Sequence, residues 1–137
     1  MAFGFNEDGS KASIDTVDVV FNQSTMNNFM NYGYNPYTLG STANVAVKGK
    51  AVQFYAPFDS PSNSWSAGVT NKLFSINDGY RPACNYTRLR VLGFVANDKP
   101  YKEIGDVWID KNGNASMIIG ATYSNKRIYI EGMYLTV

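Results

Sequence analysis

Apolar and polar positions alternate with a period of two along most of this chain. In "ANVAVKGKAVQFYAPF", residues 43–58, Val52 and Phe54 alternate with Gln53 and Tyr55, and the run is interrupted at Gly49. This predicts one long strand or two joined at the glycine, ended by Pro57 and Pro61. "TNKLFSI", residues 70–76, predicts the next strand, and "NDGYRPA" closes it: Asp78-Gly79 tolerates positive φ, and Pro82 biases Arg81 toward extended backbone. In "TRLRVLGFVA", residues 87–96, Leu89 and Val91 alternate with Arg88 and Arg90, a strand with one wet face, before a turn at "NDKP". "GDVWIDKNGNASMIIG", residues 105–120, reads as a hairpin. Val107 and Ile109 point one way, Asp106, Trp108 and Asp110 the other, and Asn112-Gly113 signals a tight type I′ turn. The last residues, "KRIYIEGMYLTV", alternate Ile128 and Ile130 with Tyr129 and Glu131, so the C-terminus is expected to be tied into a sheet.

The first forty residues follow another pattern. Val17, Val20, Phe21, Met26, Phe29 and Met30 partly fit helical spacing, while Thr16, Val17, Val19, Val20 and Phe21 favour a strand with a short helical turn after it. "NYGYNPYTLGST", residues 31–42, is a loop carrying three tyrosines, and "DSPSNSWSAG", residues 59–68, a serine-rich loop carrying Trp65. Seven or eight strands with hairpin chemistry and no βαβ unit predict an all-β antiparallel sandwich or barrel. Residues 41–137 form its head domain, and residues 1–40 a short irregular segment that either attaches the chain elsewhere or wraps onto the head.

Composition narrows the chemistry. At 137 residues the chain suits one domain with a real core. Twelve Lys and Arg against eleven Asp and Glu, spread along the chain, leave no electrostatic footprint for nucleic acid or an anionic membrane. With no histidine and a single cysteine, Ser-His, Cys-His and histidine-zinc chemistry are excluded, and so is an internal disulfide. Cys84 is expected to be a small core or interface residue. The opening lacks a signal-peptide pattern and no apolar run is long enough to span a bilayer, so synthesis in the cytoplasm without membrane insertion is expected.

Trp108 between Asp106 and Asp110 has three readings. A flat indole beside hydrogen-bonding carboxylates suits a sugar ring; the same face could instead pack on a neighbouring subunit or second sheet. A cation loop is the third reading, but "DKNGN" lacks the spaced aspartates and closing glutamate of a calcium loop, and no metal or other cofactor is expected. Trp65 suits either a ligand contact or a loop anchor. Tyr34 and Tyr37, with Tyr32, could face a sugar or cover the core or a subunit seam. Asp98, Glu103, Asp106 and Asp110 lie close in sequence, but no motif singles out an acid and a base for glycoside hydrolysis.

The turn Gly79, Tyr80, Arg81, Pro82, followed by a strand and then by Gly105, Val107, Ile109, Asn112 and Gly113 of the hairpin, resembles the C-terminal head domains of tail fibres and receptor-binding proteins of tailed bacteriophages, especially those of Gram-positive hosts. The resemblance runs from about residue 43 to the end. The opening "AFGFNEDGSK" also looks like the start of small tail proteins in such phages. What the resemblance implies is a homotrimeric, jelly-roll-like or barrel-like β domain at the virion's tail tip. It would be non-enzymatic, bind a host cell-wall saccharide near protomer boundaries, and contact other tail or baseplate proteins. Trp108, Asp106, Asp110, Trp65, Tyr34 and Tyr37 are the candidate saccharide-binding residues. The chain has no Gly-x-y neck and no long heptad stretch, so either it is a compact accessory tip protein or its trimerisation rests on the head alone. A structural tail or baseplate adaptor without a ligand is the alternative, and a polysaccharide depolymerase a third.

Overall fold

The structure, a computed structural model, describes residues 17–34, 36–94 and 101–137. The "AFGFNEDGSK" string, the "NDKP" turn and Asp98 lie outside the described residues. The ten strands among the described residues are β1 (Val19–Asn22), β2 (Met30–Asn31), β3 (Thr38–Leu39), β4 (Asn44–Lys48), β5 (Ala51–Asp59), β6 (Asn71–Ile76), β7 (Thr87–Gly93), β8 (Lys102–Ile109), β9 (Asn114–Ile119) and β10 (Arg127–Leu135). All pairings are antiparallel, in the order β1-β4-β5-β10-β7-β8-β9-β6-β2, with β3 added beside β5. The fold is thus the all-β antiparallel sandwich- or barrel-like class expected from the alternation, built as one curled sheet.

The curl follows from where the apolar faces meet. Phe54 and Phe58 on β5 both stack on Phe74 of β6, with ring centroids 5.2 and 6.0 Å apart, although the two strands lie far apart in the sheet order. The sheet bends until its inner face closes on itself and excludes water from a single core. Its two ends approach as well. A single 3₁₀ turn, Met26–Asn28, links β1 to β2, and the Phe21 and Phe29 rings pack 5.5 Å apart across it. Phe21, Met26, Phe29, Met30 and Leu39 all belong to the common core, so residues 17–34 and 36–39 wrap onto the head. The strand-plus-turn alternative is the one these residues adopt.

Turn chemistry determines several junctions. Gly49, with φ +57, makes the two-residue link between β4 and β5, so the long run is two strands. Pro57 does not end β5, which continues to Asp59. Its carbonyl accepts from the Gly40 N–H on the side where β4 has stopped and β3 is starting, so the missing N–H of proline interrupts no ladder bond to β10. In β6 a bulge between Lys72 and Phe74 lets consecutive Leu73 and Phe74 both enter the core.

The Gly79-Tyr80-Arg81-Pro82 turn is tied from both sides. Arg81 Nε donates to the Ile76 carbonyl, Tyr134 donates its hydroxyl to the Tyr80 carbonyl at 2.7 Å, and Pro82 bridges to Thr136. Burial pushes the Tyr134 hydroxyl's pKa far up, so it stays a donor. Cys84 is exposed in the single chain, between this turn and the start of β7, and so is not a core residue.

Candidate functional site

Alternation along β8 sends Val107 and Ile109 inward and sets Asp106 and Trp108 on the outer face. Register then supplies their neighbours. Trp108 stands opposite Arg88 on β7 and Ser116 on β9, while Asp106 stands opposite Arg90 and Ile118. Between β8 and β9 lies a shallow trough of about 630 Å³ lined by Ile104, Asp106, Trp108, Ser116, Ile118 and Gly120. Trp108 remains 37% exposed.

One face of the indole is already used. The Arg88 guanidinium lies 4.3 Å from the ring centre, a cation–π contact, and Tyr86 meets the ring edge-on at 5.9 Å. Asp106 Oδ2 is 3.9 Å from Arg88 Nη1, a long contact that leaves a half-exposed carboxylate available as an acceptor. Next along the same face, Arg90 is paired with Glu131. The trough therefore offers an apolar floor, one aromatic wall, a hydroxyl and a carboxylate.

Asp110 has a different task. Its Oδ1 accepts from the Asn112 and Asn114 N–H groups at 2.9 and 3.0 Å, and its Oδ2 from the Asn114 side-chain amide at 3.2 Å. Gly113 N donates to the Asp110 carbonyl and Asp110 N to the Asn114 carbonyl. In this hairpin loop only Gly113 has positive φ. That is a three-residue loop of type I with a glycine bulge, not the expected type I′ turn, and the side chain that stabilises the longer loop is Asp110 itself. Among the described residues no group of three or more His, Cys, Asp or Glu is placed to hold a metal ion.

Trp65 is 2% exposed. Its indole N–H donates to the Lys126 carbonyl at 3.0 Å, its backbone bridges to Tyr123, and its ring stacks 4.7 Å from Tyr37, so it anchors the serine-rich loop. Tyr37 donates to Asn71 Oδ1 at 2.6 Å, and burial raises its pKa. Tyr37 and Trp65, with Ser60, Ser62, Ser64 and Asn71, edge a second depression of about 330 Å³. Tyr34 lies over the outer face of β6: its hydroxyl bonds Ser75 Oγ at 3.2 Å and the Lys72 ammonium sits 5.0 Å from its ring centre. The Ser75 bond, helped by Lys72, lowers the Tyr34 pKa against a smaller opposing effect of burial.

Four trough neighbours escaped sequence reasoning. Ser116 and Ile118 were legible as outward positions of an alternating strand, but only the hairpin register sets them beside Trp108 and Asp106. Arg88 was read as one of a wet face; that it covers an indole depends on the β7–β8 pairing. Tyr86 carried no signal at all. It has φ +61, a conformation unfavourable for a bulky side chain, and is 77% exposed. Comparison of the chain with protein-family models, with curated proteins and with solved structures yields no match.

Proposed function

We propose that this chain is a non-enzymatic, homotrimeric phage tail-tip protein that recognises a saccharide on the host cell surface. The observation that carries the reading is Trp108: a half-open indole on a rigid strand, covered by Arg88 on one face, beside the Asp106 carboxylate and Ser116 hydroxyl. A pyranose offers an apolar C–H face to such a ring and hydroxyls to such acceptors. The strained, exposed Tyr86 enlarges the aromatic surface, and unfavourable backbone of this kind collects at functional sites. Shallow sites bind weakly one at a time; copies in a trimer multiply them through effective concentration.

Assembly draws support from the outer face of β10. Met133 and Leu135, with Val137 beyond the strand, are exposed, and Met133 continues through Gln53 and Ala46 to exposed Val20 in one cross-strand row. The same row favours a second reading, a structural tail or baseplate adaptor whose apolar face is buried on other virion proteins. Light-scattering mass, followed by tryptophan fluorescence during titration with host cell-wall polysaccharide, separates the two. A trimer with a saturating response that Trp108→Ala abolishes supports receptor binding. A trimer blind to every host glycan supports the adaptor, and a monomer overturns the assembly.

A further inference from the structure

The outer surface around Trp108 continues beyond its trough. Lys72 on β6 stands directly opposite Ser116 on β9, and Ser116 directly opposite Trp108 on β8, which in turn faces Arg88 on β7. Tyr34 lies at the far end, over Lys72 and bonded to Ser75. One straight row thus crosses four neighbouring strands, from the Tyr34 ring through Lys72, Ser116 and Trp108 to Arg88. With neighbouring strands about 4.8 Å apart, the β6-to-β7 span is roughly 14 Å.

Resting on the saccharide reading above, we infer that the site is an extended groove that takes a linear oligosaccharide along this row, with Trp108 as one aromatic subsite and Tyr34 as a second. A single pyranose stacked on Trp108 does not reach Tyr34; a short chain does. The groups exposed along the row argue for a polyhydroxylic occupant. The two cations of the row are engaged, Lys72 with Tyr34 and with Asn114 Oδ1 at 3.1 Å, and Arg88 with Trp108 and Asp106. What the row leaves to a ligand are ring faces and the Ser116 hydroxyl, with the Asp106 carboxylate beside the row, two residues from Trp108 along β8, all suited to sugar C–H faces and hydroxyls.

The experiment uses an array of linear oligosaccharides, from monosaccharide to hexasaccharide, of glucose, galactose, mannose, rhamnose and N-acetylglucosamine, with the full chain in its native oligomeric state. The affinity for the recognised sugar is expected to rise with chain length and then level off. Tyr34→Ala weakens the longer chains by about three- to tenfold, the value of one aromatic contact, and leaves the shortest binding ligand unchanged. Tyr34→Phe, which keeps the ring and loses only the Ser75 bond, retains long-chain binding. Trp108→Ala abolishes binding at every length. Affinity independent of length, or length dependence unaltered by Tyr34→Ala, overturns the extended groove while the Trp108 reading stands. Absence of binding to every sugar, or binding that survives Trp108→Ala, overturns the saccharide reading at this site and the groove with it.

Discussion

The Arg88 guanidinium sits 4.3 Å from the centre of the Trp108 ring, on a neighbouring strand and in direct register with it. This pairing covers one face of an exposed indole on the outer sheet face, beside Ile104 and Ile118. Arg88→Ala is therefore expected to cost only about 0.5–1 kcal/mol of stability, as for an exposed cation–π contact. The accompanying loss of ligand affinity exceeds that of Arg88→Lys, measured by titration against the same sugar.

The two tryptophans have opposite roles in stability. Trp65→Ala removes a buried ring with a satisfied N–H and is expected to destabilise by about 3–5 kcal/mol. Trp108→Ala, which loses the exposed Arg88 and Tyr86 contacts, is expected to cost less, about 1–2.5 kcal/mol. Chemical denaturation of both variants checks this, and acrylamide should quench Trp65→Phe, which keeps Trp108, far more than Trp108→Phe.

Asp110→Ala leaves three hairpin donors without their acceptor and is expected to cost about 1–3 kcal/mol while sparing ligand binding. Asp106→Ala reverses the pattern, with stability kept and binding weakened. A thermal melt paired with a titration reads both halves.

Tyr86→Gly removes a ring contact worth about 0.5–1.5 kcal/mol and relieves an unfavourable positive φ worth about 1–3 kcal/mol. The melting temperature is expected to be unchanged or higher while affinity falls. A clear drop in melting temperature would mean the conformation is not strained.

Asp59 and Arg127 form a two-bond ion pair, Nε to Oδ1 at 2.8 Å and Nη2 to Oδ2 at 3.1 Å, between β5 and β10. The hydrogen bonds from Arg127 hold the Asp59 carboxyl below its ordinary value of 3.8 despite an opposing effect of burial. A depressed carboxylate contributes stability above the unfolded-state pKa, and that contribution is lost as pH falls through the folded-state value. Denaturation midpoints are therefore expected to decline below about pH 4, with a smaller decline in Asp59→Asn. The guanidinium is partly solvent-exposed, so the difference is modest.

Period-two alternation was enough to read β4 through β10 and the inward set Val107, Ile109, Ile128 and Ile130, because a half-buried strand must bury every second residue whatever its partner. It also set Asp106 and Trp108 outward. What depended on contacts distant in sequence was not legible. Pro57 reads locally as a strand end, yet β5 runs through it because the neighbouring strand changes there. Trp65 sits among serines with no periodicity, and only the bridge to Tyr123 and the Lys126 carbonyl draws it inside. Asp110 and Asp106 are alike in sequence; hairpin geometry turns one into the loop and leaves the other at the trough. Local alternation determined which face each strand residue occupies, while the pairing order, set by closing an apolar face against water across the whole chain, decided which outward residues stand side by side as Tyr34, Lys72, Ser116, Trp108 and Arg88 do.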